Sequence, residues 1–138
     1  MPDLQYSLLP EPLRPLLDKF YRAHRSPMRA VAEAQIWVAR HTDILAGLCL
    51  RPVSEGFWLT GLLVDPAARG QGLARGLIEH VQEQCASAIW LFCHPDLAQF
   101  YERLGFTAAA NLPAQLCERL VRYQRNKAML ALEWQPAP

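Results

Sequence analysis

Apolar residues recur along this chain at two different periods, and the change from one to the other marks its organisation. Residues 4–9 carry the alternation of a short strand. In "EPLRPLLDKFYRAH", Leu13, Leu16, Leu17, Phe20 and Tyr21 fall at helical spacing, which predicts a helix over 12–24. "RSPMRAVAEA" reads as a loop around Pro27 followed by at most a short helical turn. "QIWVARHTDILAGLCL" reads as two strands about a turn at Thr42-Asp43, "RPVSEG" as the next turn, and "FWLTGLLV" as a further strand. Successive hairpins of this kind predict an antiparallel meander up to Val64.

From Leu73 the period becomes helical. Leu73, Leu77, Val81 and Cys85 lie four apart with Ala74 and Ile78 beside them, the apolar stripe of an amphipathic helix. "AIWLFC" is a short run with almost no polar residue, as a buried central strand requires. A second helix is predicted over 96–104, with Phe100 and Leu104 four apart, Gly105 at its stop and Phe106 just beyond. "FTAA" reads as a strand, "LPAQLCERLVRYQR" as a helix with Pro113 near its first turn, and "AMLALEW" as the closing strand. With no repeat or linker, residues 1–138 read as one α+β domain.

Composition narrows the function classes. Over 138 residues, 51% are hydrophobic and 20% charged, as in a globular domain, and the formal charge of +1 gives no footprint for nucleic acid or an anionic membrane. Arg119, Arg122, Arg125 and Lys127 collect near the C-terminus beside Glu118 and Glu133, a solvated helix face rather than a docking patch. The N-terminus has no basic region and no signal-type cleavage site, and no apolar run approaches the roughly 20 residues of a membrane span, so a cytoplasmic protein is expected. Cys49, Cys85, Cys93 and Cys117 have neither CxxC spacing nor a disulfide framework; reduced, packed thiols and no metal are expected.

The chemistry concentrates in "LVDPAARGQGLARGLIEH", where a strand gives way to a helix through three glycines in seven residues. A helix starting near Gly72 leaves its first N–H groups unpartnered and adds partial positive charge there. Gly70 and Gly72 remove the side chains that would hold an anion away, while Arg69 and Arg75 add charge. Such a junction suits a phosphate; it is equally available as a flexible turn. Gly76 sits inside the helix, where it costs about 1 kcal/mol against alanine, and a close approach of ligand or strand would explain it. The Walker pattern is absent, because after Gly70 there is neither a sixth-position glycine nor a lysine. A dinucleotide fingerprint is disfavoured, since "DPAAR" separates the strand from the glycines.

These residues resemble the GNAT superfamily of N-acetyltransferases. "LLVDPAARGQGLA" places Arg69, Gly72 and Ala74 in the fixed positions of that family's [QR]-x-x-G-x-[GA] motif. "LAQFYERLGF" resembles the family's tyrosine helix, with Tyr101, Gly105 and Phe106 in place. The resemblance implies a mixed central sheet with flanking helices, an antiparallel meander followed by splayed parallel strands, and acetyl-CoA held between the strand ending at Val64 and "AIWLFC". It also implies that the backbone of Leu62, Leu63 and Val64 pairs with the pantetheine amides. The N–H groups of Gly70, Gln71, Gly72, Leu73, Ala74 and Arg75 would take the pyrophosphate, with Tyr101 near the thioester sulfur.

Acetyl transfer to an amine sets three physical demands. With a lysine-like pKa near 10.4, only about one amine in 2,500 is neutral at pH 7, so a proton must be removed. The oxyanion needs a fixed donor, for which the family uses a backbone N–H of the strand ending at Val64. The departing thiolate, with a pKa of about 8.5, needs a donor too, and Tyr101 fits that place unless its ring only packs at a core edge. No carboxylate lies in "FWLTGLLV" or at Ile89, where some family members carry the base. His94 stands where the family often has a cofactor-contacting asparagine. It is a candidate base acting through water, a hydrogen-bond partner of pantetheine, or a cap of the helix behind Pro95. Glu33, His41 and Glu55 read as solvated turn residues.

The expected function is therefore acetyl transfer from acetyl-CoA to an amine by direct ternary complex, without metal or covalent intermediate. The alternative is a non-catalytic acyl-CoA-binding sensor or regulatory domain, with a nicotinamide-dependent reductase behind it. Arg25, Arg29, Arg122 and Tyr123 suggest an acidic acceptor, small molecule or protein, and the helix at 113–123 either covers the acceptor cleft or serves a homodimer contact.

Overall fold

A computed structural model describes residues 4–138. Among the described residues, seven strands form one mixed sheet flanked by helices: β1 (Gln5–Leu8), β2 (Gln35–Arg40), β3 (Ile44–Val53), β4 (Gly56–Val64), β5 (Ile89–Cys93), β6 (Thr107–Ala108) and β7 (Leu130–Trp134). Their order in the sheet is β1-β2-β3-β4-β5-β7-β6. The helices are α1 (Pro15–Ala23), α2 (Leu73–Gln84), α3 (Ala98–Glu102) and α4 (Ala114–Gln124). The chain divides into two compact units, residues 4–51 with 59–84 and residues 52–58 with 85–138.

In the first unit, β1 and β2 pair antiparallel with Tyr6 opposite Ala39, and β2 pairs antiparallel with β3. Alternation along β2 sends Ile36 and Val38 into a core with Leu17, Phe20 and Tyr21 of α1, Cys49 of β3 and Leu63 of β4. Trp37 points the other way, edge-on to His80 of α2 at 5.6 Å. The predicted helix over 12–24 is shorter: a 3-10 turn occupies Glu11–Leu13, and Pro15 opens α1 proper. Leu13 and Leu16 consequently stay exposed, while Leu17, Phe20 and Tyr21 carry the burial. Residues 26–34 form no element beyond a turn at 32–33, yet side chains of α1 and its N-cap fasten them. The Arg14 guanidinium donates to the carbonyls of Val31 and Ala34, and Asp18 accepts the Ala30 N–H at 2.7 Å.

The strand β3 runs on to Val53, so the turn expected over "RPVSEG" contracts to Ser54-Glu55, with Ser54 at φ +54°. Along α2 the stripe of Leu73, Leu77, Ile78 and Val81 is buried, and Cys85 falls just past its end. Gly76 faces Tyr6, where a Cβ would run into the phenol hydroxyl. The neighbour that glycine admits is a side chain of β1.

In the second unit, β5 pairs antiparallel with β7, Trp90 opposite Glu133, and the Trp90 indole donates to that carboxylate at 2.9 Å. Val53, Trp58, Trp90 and Leu116 make its core, and α4 lays Leu116 into it behind the N-capping Pro113. The helix predicted over 96–104 resolves into a 3-10 turn (Pro95–Leu97) and α3, closed by Gly105 at φ +92°. Residue 106 donates its N–H to the Tyr101 carbonyl at 3.1 Å, and the Phe106 ring is buried.

Candidate functional site

The first unit holds the junction between β4 and α2. Leu62, Leu63 and Val64 are half-buried. Asp65 then turns the chain: its N–H donates to the Leu45 carbonyl at 2.8 Å, and its carboxylate caps the Pro66–Ala68 turn by accepting the Ala67 N–H at 2.9 Å. Arg69, Gly70, Gln71 and Gly72 are exposed, Leu73 is buried and Ala74 half-buried. Gly70 has φ +80° and Gly72 φ +74°, and a Cβ on either would meet no atom within 4 Å. Both glycines thus serve backbone conformation, not a tight fit, and they leave open space over the turn.

The first bond of α2 runs from the Gly76 N–H to the Gly72 carbonyl at 2.9 Å. Among the described residues, no protein acceptor takes the N–H groups of Gly72, Leu73, Ala74 and Arg75. The two flanking arginines differ. Arg75 pairs with Glu79 at 3.4 Å, whereas Arg69 has no carboxylate partner among the described residues.

One further pair lies at this end of β4. The His24 imidazole, at the C-cap of α1, sits 3.8 Å from the Asp65 carboxylate, each side chain about one quarter exposed, and edge-on to Phe20 at 4.9 Å. Nothing in the sequence marks His24, which reaches Asp65 only because α1 packs along β4.

The second unit holds Tyr101 and His94. Tyr101 is 7% exposed, with Phe100 and Phe106 edge-on at 5.0 and 5.8 Å. Burial, and then the Cys93 thiol nearby, pushes its hydroxyl up to about 12. It therefore stays protonated at any physiological pH, a donor and not a base. Among the described residues its hydroxyl has no protein hydrogen-bond partner.

The His94 side chain is exposed and its Nδ1 accepts the Asp96 N–H at 3.0 Å, capping the Pro95–Leu97 turn. The cap engages the Nδ1 lone pair. Glu33, His41 and Glu55 are exposed, as turn residues should be. Trp58 Nε1 and Thr60 Oγ1 on β4 are buried without a partner among the described residues, each at a cost of about 1–3 kcal/mol. Among those residues no group of three or more His, Cys, Asp or Glu gathers as metal ligands, the four cysteines are free thiols, and no helix is long and apolar enough to cross a membrane.

The family described as "Acetyltransferase (GNAT) domain" matches residues 32–108, more than half the chain. The chain belongs to the GNAT acetyltransferase family. Enzymes of the acetyltransferase class are what that membership makes it one of. Among curated proteins no sequence matches. Solved structures share the GNAT fold at low identity. The ribosomal-protein-S18-alanine N-acetyltransferase from Escherichia coli aligns with a TM-score of 0.72 at 18% identity, covering 99% of this chain and 97% of that one. The N-acetylglutamate synthase from Neisseria gonorrhoeae, complexed with coenzyme A and N-acetyl-glutamate, aligns at 0.70 and 13%, covering 99% of this chain and 36% of that one. Arabidopsis thaliana Naa50 with a CoA-Ac-MVNAL bisubstrate analogue aligns at 0.68 and 14%, covering 94% and 97%.

Proposed function

We propose that this GNAT protein transfers an acetyl group from acetyl-CoA to an amine within a ternary complex. The observation that carries the reading is the open junction after β4. Four unpartnered amides begin a 12-residue helix, and the two positive-φ glycines before it leave nothing in an anion's way. A diphosphate supplies the oxygens those amides lack, and Arg69 adds an unpaired cation. The backbone of Leu62, Leu63 and Val64 would then hold the pantetheine arm. Acetyl-CoA, when bound, supplies the activated acyl group.

Chemistry asks the rest of this chain's side chains. We assign Tyr101 to the departing sulfur. A phenol near 12 is several units weaker an acid than a thiol of about 8.5, so full proton transfer from it runs uphill. Tyr101 serves instead as a hydrogen-bond donor to the thiolate as the C–S bond breaks. The amine's proton goes to a base, and His94 is occupied by its cap. His24 is the better assignment: its Nε2 lies 3.8 Å from the Asp65 carboxylate, at the end of the strand proposed to carry the cofactor. The acceptor is an amine, and the arginines at 25, 29 and 122 favour one that carries a carboxylate.

Two measurements test the proposal together. Calorimetry with CoA, 3′-dephospho-CoA and NADPH separates CoA binding from a nicotinamide reading. Thiol release from acetyl-CoA against a panel of amines and amino acids reads turnover. CoA binding with release is expected, and kcat should fall by about 10²-fold or more in His24→Ala while the CoA Kd is unchanged. Binding with no release on any acceptor would turn the assignment to an acyl-CoA sensor, and no CoA binding would end it.

A further inference from the structure

The strand β4 carries one glycine whose conformation is enforced from outside the sheet. Gly61 has φ +69°, and a Cβ there would lie 2.6 Å from the Tyr21 hydroxyl oxygen. That hydroxyl donates to the Gly61 carbonyl at 2.6 Å. Tyr21 itself has no exposed surface and is wedged among Leu17, Phe20, Ile36, Val38 and Cys49. Its other polar neighbour is the Cys49 sulfur at 3.9 Å. Burial above all, with the Cys49 thiol, raises the Tyr21 hydroxyl well above the ordinary phenol range, so it remains a donor wherever the protein is folded. The arrangement is a rigid post on α1 bonded to one carbonyl of β4.

A peptide unit is planar and trans, so its C=O and the next residue's N–H point in opposite directions; among the described residues no peptide is cis. Fixing the Gly61 carbonyl on Tyr21 therefore fixes the Leu62 N–H, directed away from α1. On the acetyl-CoA reading proposed above, on which this inference rests, Leu62 opens the stretch of β4 that pairs with the cofactor. We propose that Tyr21 is a positioning residue: by holding the Gly61 carbonyl it aims the Leu62 N–H at the thioester carbonyl oxygen, where negative charge gathers during attack. A donor fixed before the reaction needs no reorganisation when the charge develops, and that is the source of its effect. Glycine at 61 is required twice over, by its φ and by the space the hydroxyl fills.

The test needs no acceptor. Acetyl-CoA has the carbonyl that would meet Leu62 and CoA does not, so calorimetric Kd values for the two ligands isolate that contact. The unmodified protein should prefer acetyl-CoA by about two- to tenfold, the worth of one neutral hydrogen bond, and in Tyr21→Phe the preference should fall to near unity while the CoA Kd stays within about twofold. A preference intact in Tyr21→Phe would overturn the proposal. So would an equal loss for both ligands, which would make Tyr21 a support of the fold alone.

Should Tyr21→Phe fail to fold, the unmodified protein decides by its Leu62 amide ¹⁵N–¹H shift. A difference between the acetyl-CoA and CoA complexes is expected, and identical shifts overturn the inference. Failure of the unmodified protein to bind either ligand would sink the functional reading itself, whereas equal binding of both would sink only the role of Tyr21.

Discussion

On the proposed reading, the junction after β4 and the surroundings of Tyr101 are two ways of making a functional site. At the junction the working groups are backbone amides, exposed, with side chains removed by Gly70 and Gly72. Around Tyr101 the working group is one hydroxyl, enclosed by Phe100, Phe106 and Cys93, and burial sets its acidity. The first kind is built by conformation and fails when a side chain or a changed φ enters. The second is built by packing and fails when one atom is deleted.

That contrast can be broken from either side. The largest effect is expected from Gly72→Val. A β-branched residue at φ +74° costs about 1–2 kcal/mol in backbone strain and displaces charge-assisted bonds worth about 1.5–3 kcal/mol. The CoA Kd should rise on the order of 10²-fold by calorimetry, with far-UV circular dichroism unchanged. Next comes Tyr101→Phe, which removes the donor proposed for the thiolate. The expectation is a kcat lower by about 10–10²-fold with the CoA Kd within about threefold; an unchanged kcat would remove Tyr101 from the mechanism.

The same substitution also sharpens the role of burial through pH. Tyr101 is neutral when protonated and its folded pKa is raised, so the folded state holds its proton more tightly than the unfolded chain. Its contribution is fully present below about pH 10 and is lost as pH rises towards 12. In urea titrations between pH 9 and 12, the unmodified protein should lose about 2–3 kcal/mol more stability than Tyr101→Phe. A parallel decline in both would show that burial does not raise the hydroxyl. The smallest effect belongs to His94→Ala, which deletes a cap worth about 1 kcal/mol. Tm should drop by a few degrees while kcat stays within about twofold, and a kcat lower by about 10²-fold or more would restore His94 as the base.

The two regions were also unequally legible in the sequence. The glycine junction could be read because positive φ and helix starts are local matters, written within a few residues of each other. Strand alternation in β2 and the four-residue stripe of α2 were legible for the same reason. The N-terminal limit of α1 was less so, because Pro15 starts the helix after a separate 3-10 turn and strands Leu13 and Leu16 at the surface. What escaped entirely was long-range. The pairs Tyr21 with Gly61, His24 with Asp65 and Tyr6 with Gly76 are each separated by 40 residues or more, and no local pattern announces them. Gly76 stands out in the sequence as a glycine inside a helix that a strand could approach, but that the neighbour is the Tyr6 side chain rests on a contact 70 residues away. Of the roles the sequence allows His94, the structure shows the cap, through the Asp96 N–H at 3.0 Å.

The four amides that begin α2 have a consequence in exchange chemistry. A backbone proton with no acceptor and open space above it trades with deuterated water almost as fast as in a free peptide, while later turns of the same helix are slowed by their bonds. The start of α2 therefore carries its own isotopic clock. Whatever molecule settles there will slow it, and the set of amides that fall silent will outline that molecule without a label or a substrate assay.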